Sequence, residues 1–154
     1  MVRFANDADL ARINELRRQV NELHVQGRPD MFKPGFGAQI QAHAAGLLHA
    51  DDHAIIVAER DGAIYGMACV DYVDKPETAY SRARRYYHVQ ELAVDAAHRR
   101  QGVARELLEF MRADARARGF ARIELDVWSF NAGAVEFYEA MGFTAYRQMM
   151  ELAV

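Results

Sequence analysis

A basic hexapeptide at residues 99–104, RRQGVA, combines the residue types that bind phosphate. It lies between a short apolar run, LAV at residues 92–94, and a stretch from Gly102 onward whose apolar residues recur at helical spacing. The first turn of a helix has unpaired N–H groups and the positive end of the helix dipole, which together bind anions. Gly102 lets the backbone approach a ligand, and the side chains of Arg99 and Arg100 supply charge-assisted hydrogen bonds. The hexapeptide therefore predicts a phosphate site at a helix N-terminus, with a solvated basic turn as the alternative.

The elements that must position this hexapeptide are a strand before it and a helix after it. The strand, Tyr86–Val94, ends in three apolar residues, as at the centre of a sheet covered on both faces. The helix, Gly102–Arg118, has one apolar face, and Gly119 ends it. The other predicted elements are a strand around Val2–Phe4, a helix from an N-cap at Asp7 to before Pro29, a helix over Ala38–Leu48, a hairpin of Ala54–Glu59 and Ala63–Tyr72 about Asp61 and Gly62, a strand through Ile123, Leu125 and Val127, a helix from Asn131 to Gly142, and a last strand over Thr144–Leu152. This order predicts a mixed α/β fold.

The length and composition describe one domain and exclude several classes of function. The 154 residues predict a single domain over residues 1–154. A formal net charge of −3 indicates no nucleic acid partner, and no apolar run approaches the roughly 20 residues of a membrane span. Cys69 is the sole cysteine, so no internal disulfide forms, and with an N-terminus that lacks an apolar core this predicts a cytoplasmic protein. His43, His49 and His53 match no standard ligand spacing, so we expect no metal.

The residues from Glu91 onward, ELAVDAAHRRQGVARELLEFM, resemble the GNAT superfamily of N-acetyltransferases. The family's motif for coenzyme A is Arg or Gln, two residues, Gly, one residue, then Gly or Ala. Here Arg99, Gly102 and Ala104 hold those places. A later segment of the family is similar to NAGAVEFYEAMGF at residues 131–143. The resemblance is strong from about Tyr86 to Phe143, fits the element order over nearly the whole chain, and is weak in detail before Ala54.

The resemblance implies a fold and a place for acetyl-CoA as co-substrate. The fold is α/β, with about four helices and a mixed, mostly antiparallel sheet that splays between its fourth and fifth strands. The fourth strand, Tyr86–Val94, carries a bulge and diverges from Ala121–Val127. The pantetheine arm lies in that gap and pairs with the backbone like an extra strand, while an N–H near Val94 polarises the acetyl carbonyl. The residues expected to bind acetyl-CoA are Leu92, Ala93, Val94, Arg99, Arg100, Gln101, Gly102, Val103, Ala104, Arg105 and Asn131.

The resemblance also implies acetyl transfer to an amine, which requires a base for the ammonium and an acid for the departing thiolate. Tyr138 is the expected acid, because it falls two turns after Asn131 and matches the family tyrosine near the thioester sulfur; an aromatic core residue is its alternative. Asn131 is equally expected as a plain helix N-cap. Glu91 is the expected base, and its low ordinary pKa of roughly 4.3 calls for burial or a water relay. His88, whose ordinary pKa is near neutral, is the alternative base.

The residues do not select the acceptor amine, which belongs to a small molecule or to a protein. By resemblance its pocket lies between residues 30–36 and residues 74–87. The side chains expected there form an apolar wall or dock the loops, and they are Met31, Phe32, Phe36 and Tyr80. The chain is therefore expected to be an acyltransferase enzyme, and a homodimer is left open. The alternatives are a non-catalytic module that binds acyl-CoA, which would need neither Glu91 nor Tyr138, and a nucleotide-binding domain of another fold, which the lack of a P-loop motif opposes.

Overall fold

Five strands and four α-helices make up the fold, in a computed structural model that describes residues 1–154. The strands are β1 (Val2–Phe4), β2 (His53–Arg60), β3 (Ala63–Lys75), β4 (Arg84–Val94) and β5 (Ile123–Leu125). The helices are α1 (Leu10–Gly27), α2 (Ala38–Leu48), α3 (Val103–Ala117) and α4 (Ala132–Ala140). None of the helices combines the length and the apolar character that a membrane span requires.

The strands form one open sheet in the order β1-β2-β3-β4-β5. Neighbouring strands are antiparallel except for β4 and β5, which are parallel. Helix α3 makes the crossover that parallel neighbours require. The β2–β3 hairpin turns at Asp61 and Gly62, whose φ angles of 51° and 76° suit a tight two-residue turn. The mixed α/β architecture predicted from the sequence is thus confirmed.

Helices cover both faces of the sheet, with α1 and α2 on one face and α3 and α4 on the other. The core beneath α1 and α2 includes Ile13, Leu16, Leu47, Val57 and Met67. The core beneath α3 and α4 includes Ile56, Val70, Leu107, Leu108, Met111 and Met141. Each fully buried Leu, Ile, Val or Met side chain contributes about 1.5–3 kcal/mol of transfer free energy. Because successive side chains of a strand point to opposite faces, β2 and β3 contribute to both cores and fix the sheet between them.

The N-terminal cap before α1 differs from the predicted one. The Asn6 side chain accepts a hydrogen bond from the Ala8 N–H at 3.0 Å, and Asp9 accepts one from the Asn6 N–H at 2.9 Å. This capping box closes a 3-10 turn over residues 7–9 that leads into α1. The prediction of Asp7 as the N-cap is wrong, because Asp7 already lies inside that turn.

Strand β4 carries a bulge and then separates from β5. Its register with β3 shifts at Gln90, which lies opposite no β3 residue. Its pairing with β5 covers three residues and ends at Val89 opposite Leu125. The remaining residues of β4, through Val94, therefore face a gap on the side of β5. The structure confirms the bulge and the splayed strands, although β5 is shorter than expected.

The predicted last strand over Thr144–Leu152 is wrong. Residues 143–154 form no helix or strand, and the side chains of Met149, Met150 and Leu152 are between 87 % and 92 % exposed. Two side-chain contacts, one with β5 and one with the residue that follows α1, hold this segment to the domain. A strand needs a neighbouring ladder as well as an alternating pattern, and β5 is only three residues long.

Candidate active site

The RRQGVA hexapeptide forms a tight loop that ends in the first turn of α3. Arg100 and Gly102 have positive φ angles of 64° and 85°. Left-handed residues bend the chain sharply, and concavities of backbone N–H groups that bind anions commonly contain such residues. A Cβ built on Gly102, the N-cap of α3, would meet no atom within 4 Å. Val103 is buried against the sheet, whereas Gln101 is exposed. The loop therefore presents N–H groups and open space at the positive end of the helix dipole.

The charges around this loop favour an anion. Arg99, Arg100 and Arg105 are exposed, and none of them has a carboxylate within ion-pair distance. The acidic residue in the first turn of α3, Glu106, is paired with Arg60. The loop thus has three guanidinium groups available, and the one carboxylate in the first turn of α3 is neutralised. These features are compatible with a phosphate group at this loop, the type of site that the hexapeptide predicts.

Helix α1 anchors the segment just before the loop. Asp95 is paired with Arg12 and accepts a hydrogen bond from the Ala97 N–H at 2.9 Å. Gln19 accepts a hydrogen bond from the Ala96 N–H, also at 2.9 Å. These contacts fix where β4 ends and the loop begins. Sequence reasoning missed them because Arg12 and Asp95 lie 83 positions apart and belong to no shared motif.

The backbone of β4 offers hydrogen-bonding groups along the gap. The Asp95 N–H donates to the Tyr65 carbonyl on β3 at 2.8 Å. Alternate residues of an antiparallel ladder face the same neighbour, so Ala93 also faces β3 while Leu92 and Val94 face the gap. Because β5 has diverged, the N–H and C=O groups of Leu92 and Val94 are left for an extended ligand. Two of the three residues expected to pair with the pantetheine arm are therefore turned toward the gap.

Glu91 lies beside the gap on the face of the sheet that α1 and α2 cover. Its Oε2 accepts a hydrogen bond from Arg17 Nε at 3.0 Å. Burial raises the pKa of Glu91 above its ordinary value, and the charges of Arg17 and His43 reduce this shift without cancelling it. A raised pKa makes Glu91 a stronger base than a surface glutamate. Sequence reasoning missed Arg17, since the helical spacing of α1 indicates only which of its residues are apolar.

The alternative base, His88, belongs to a row of side chains across three strands. His88 Nδ1 lies 3.1 Å from one oxygen of Asp71, and the other oxygen lies 2.6 Å from His53 Nδ1. The bulge residue Gln90 donates to Asp71 at 2.8 Å. The second ring nitrogen, His88 Nε2, lies 3.7 Å from Asp126, just beyond the end of β5. Asp71 thus holds one nitrogen of His88, while the other faces the mouth of the gap.

Asn131 and Tyr138 lie on the opposite side of the sheet, at the N-cap and near the C-terminal end of α4. Asn131 accepts a hydrogen bond from the Ala134 N–H at 3.3 Å, so its role as helix N-cap is confirmed. The Tyr138 ring packs against Phe137 and Phe143, with ring centroids 5.3 Å and 5.5 Å away. Burial raises the pKa of Tyr138 to about 12. Its hydroxyl therefore stays protonated at neutral pH and can donate a hydrogen bond.

Aromatic residues connect the end of α1 to the segment that follows β5. The cluster consists of His24, Phe32, Trp128 and Phe130. Phe32 meets Trp128 edge-on with ring centroids 5.5 Å apart. A Cβ on Gly27 would lie 2.3 Å from the Phe130 ring, so α1 and this segment are in close contact. Phe32 thus packs in an aromatic cluster, which fits either of its two expected roles. Met31 and Tyr80 do not pack there, because they are 54 % and 96 % exposed.

Cys69 is buried in β3, directly opposite Glu91. Burial and the neighbouring Glu91 carboxylate raise the pKa of the Cys69 thiol well above its ordinary value. The thiol therefore stays protonated at neutral pH. The structure thus provides no activated cysteine for a covalent acyl-enzyme step.

Solved structures share this fold over the whole chain. A tetramutant of the BH1408 protein from Bacillus halodurans superposes with a TM-score of 0.95 at 26 % identity, covering 100 % of this chain and 99 % of that one. AAC(6')-Iy in complex with the bisubstrate analog CoA-S-monomethyl-acetylneamine superposes with a TM-score of 0.79, covering 100 % of this chain and 97 % of that one. At 19 % identity, this second likeness shows the fold alone.

Two relatives are similar in sequence over part of the chain. N-acetyltransferase 8 from Homo sapiens is 33 % identical over 87 residues, which are 56 % of this chain and 37 % of the relative. Streptothricin acetyltransferase from Streptomyces lavendulae is 30 % identical over 94 residues, which are 61 % of this chain and 46 % of the relative. The alignments thus span less than half the length of either relative.

The sequence matches a protein family over most of the chain. Residues 17–143 match the acetyltransferase (GNAT) family. This range begins at Arg17, includes the gap between β4 and β5 and the loop at residues 99–104, and ends just after α4. The chain therefore belongs to the acetyltransferase (GNAT) family.

Proposed function

We propose that the chain is an N-acetyltransferase that moves the acetyl group of acetyl-CoA directly to a primary amine. The observation that carries the proposal is the gap between β4 and β5. An anion-binding loop follows the gap, unpaired backbone groups line one edge of it, and an ionisable side chain lies on each face of the sheet. A module that only bound acyl-CoA would need the loop and the backbone groups, but neither Glu91 nor Tyr138.

Acetyl-CoA would be held by the groups already described. The pyrophosphate binds the N–H groups of the loop, with Arg99, Arg100 and Arg105 supplying charge. The pantetheine amides pair with Leu92 and Val94, and the acetyl group then lies at the gap. An N–H of Leu92 or Val94 polarises its carbonyl oxygen, which carries negative charge as the amine adds.

The transfer needs the acceptor as a free amine. Glu91 takes one proton from the ammonium through a water, so that the nitrogen lone pair is available. The nitrogen attacks the carbonyl carbon, the C–N bond forms, and the electron pair of the C–S bond leaves with sulfur. The second proton lost by the nitrogen neutralises the thiolate, toward which the Tyr138 hydroxyl donates a hydrogen bond. Amide and free thiol are the products, and the proton held by Glu91 returns to water.

His88 is the second candidate for the base. The Asp71 carboxylate favours the imidazole tautomer with its proton on Nδ1, because that N–H can donate to Asp71. Nε2 then carries the lone pair at the mouth of the gap. Glu91 and His88 predict different results for Glu91→Gln. If Glu91 is the base, this substitution flattens the rising limb of the pH–rate profile; a retained limb assigns the base to His88 or to the substrate's own ionisation.

The experiment that tests the proposal is the release of free thiol from acetyl-CoA across a panel of primary amines. The panel includes streptothricin and a peptide that begins with alanine. One relative is named streptothricin acetyltransferase, and another, from Escherichia coli, is named [ribosomal protein bS18]-alanine N-acetyltransferase. We expect amine-dependent thiol release that Glu91→Gln lowers. Tight binding of coenzyme A with no turnover on any amine would instead support a non-catalytic acyl-CoA-binding module.

A further inference from the structure

Arg17 is a buried cation on the face of the sheet that α1 and α2 cover. It lies in the second turn of α1 and is 7 % exposed. Its Nε donates to Glu91 Oε2 at 3.0 Å, and its Nη1 donates to the Ile40 carbonyl of α2 at 2.9 Å. Its guanidinium also lies 5.8 Å from the centroid of the Phe36 ring. One side chain therefore joins α1, α2, the loop before α2 and β4.

Stability alone is a weak reason for this arrangement. Removing two charges from water costs several kcal/mol per ion, and a buried ion pair often does no better than an apolar pair of similar size. Most of the surrounding core is apolar and includes Ile13, Leu16, Ala44 and Leu47. An apolar pair would fill that space without the desolvation cost. The ion pair therefore calls for a role that a hydrophobic contact cannot perform.

We propose that Arg17 is a positioning residue for the Glu91 carboxylate, which it holds in the orientation that acetyl transfer requires. This inference rests on the proposed function, because it assumes that Glu91 is the base. The guanidinium occupies Oε2, and Oε1 accepts no hydrogen bond from the protein. Oε1 is thus the atom left to receive the proton of the acceptor. A lysine at this position would keep the charge but could not match the planar fork that reaches Glu91 and Ile40 together.

The groups that face Glu91 come from three elements. Arg17 faces it from α1, His43 from α2, and the Cys69 thiol from β3. Arg17 is the only one of these that hydrogen-bonds the carboxylate. Its positive charge favours the ionised form of Glu91 and opposes the effect of burial. Loss of that charge should therefore move the ionisation of Glu91 to higher pH.

The test compares Arg17→Met and Arg17→Lys with a matched control, Arg18→Met. Arg18 is the next residue of α1, but it is half exposed and pairs with Glu22 along the helix. We expect Arg17→Met to lower kcat on the order of 10- to 100-fold, as a small misplacement of a catalytic group does, and to move the rising limb of the pH–rate profile to higher pH. Arg17→Lys should lose less, Arg18→Met should behave as wild type, and the Kd of coenzyme A should stay the same in all three.

A double variant separates positioning from a structural role. Arg17→Met combined with Glu91→Gln should be no slower than Glu91→Gln alone, because Arg17 acts only through Glu91. This double variant also removes the unpaired buried carboxylate that could keep Arg17→Met from folding. Additive losses of kcat in the double variant would overturn the role proposed for Arg17 but not the role of Glu91. An Arg17→Met enzyme whose rising limb does not move would do the same. A Glu91→Gln enzyme with wild-type turnover and an intact limb would overturn the assignment of Glu91, and that of Arg17 with it.

Discussion

Gly66 on β3 lies directly beneath Val103, the first residue of α3. A Cβ on Gly66 would lie 2.7 Å from Val103 Cγ1 and 3.1 Å from the Ala93 carbonyl oxygen. The Val103 side chain, in the first turn of α3, therefore packs directly on the backbone of β3, where Gly66 has no side chain to separate them. This close contact sets the height of the anion-binding loop above the edge of β4 where the gap opens.

Gly66→Ala should weaken both the fold and the binding of coenzyme A. The added methyl overlaps a stiff, β-branched side chain, and such overpacking costs about 1–3 kcal/mol of unfolding free energy. The first turn of α3 must move, so the Kd of coenzyme A should rise. Adding Val103→Ala makes room for the methyl and should restore most of the affinity, as measured by calorimetric titration. An unrescued Kd in the double variant would show that α3 is not positioned through this contact.

Gly102→Ala should raise the Kd of coenzyme A and should also lower the free energy of unfolding. Alanine in the left-handed conformation of residue 102 costs about 1–2 kcal/mol, and its methyl would occupy the space in front of the loop. Gly119→Ala is the matched control. Gly119 follows the other end of α3 with a similar φ of 75° and no atom within 4 Å of a built Cβ. Denaturation should show similar losses for both variants, while only Gly102→Ala weakens cofactor binding. Equal affinities in the two variants would place the pyrophosphate elsewhere.

Tyr138→Phe should lower kcat with little change in stability or in the Kd of coenzyme A. The hydroxyl makes no hydrogen bond within the protein, so its removal leaves no buried group unpaired. Tyr72→Phe provides the contrast, because the Tyr72 hydroxyl donates to Asp114 at 3.3 Å on the α3 side of the sheet. That variant should lose stability and keep its turnover. Unchanged turnover in Tyr138→Phe would remove Tyr138 from the mechanism.

Asp9→Asn should lower the free energy of unfolding by about 1–3 kcal/mol at neutral pH. Asp9 is 6 % exposed, and its hydrogen bond with Arg3 holds its pKa below the ordinary value of 3.8. A lowered folded-state pKa gives stability that is present above pH 3.8 and is lost as pH falls through the folded-state pKa. The difference in unfolding free energy between wild type and variant should therefore disappear in acid. Asp7→Asn, at an exposed position, should change stability by less than about 0.5 kcal/mol. A difference in unfolding free energy that persists in acid would mean that the ion pair of Asp9 with Arg3 is not its cause.

Local features of the fold could be predicted from the sequence because their causes are local. Asp61 and Gly62 tolerate positive φ, which selects a tight hairpin turn. Asn131 has a side-chain oxygen that caps α4. Of the site, the anion-binding loop and the gap beside β4 follow from a motif and a family resemblance. The turn, the cap and the loop each depend on a short, continuous stretch of chain, whereas the gap depends on how β4 and β5 pair across the α3 crossover.

The contacts that orient the candidate catalytic groups could not be predicted in this way. Arg17 and Glu91 are 74 positions apart, and only the packing of α1 on the sheet brings them together. Asp71 reaches His88 through strand register, which residue types alone do not give. A strand is predicted for the segment after Phe143, yet a strand forms only beside a partner ladder.

The most direct test of the central claim is to follow the acetyl group itself. After the enzyme is incubated with acetyl-CoA and an accepted amine, mass spectrometry measures free coenzyme A, acetylated amine and the intact enzyme. Direct transfer at the gap predicts equal amounts of free coenzyme A and acetylated amine, with no gain in the mass of the enzyme. Thiol release without acetylated amine, or an acetylated enzyme that forms before the amine is added and then passes its acetyl group on, would contradict the account.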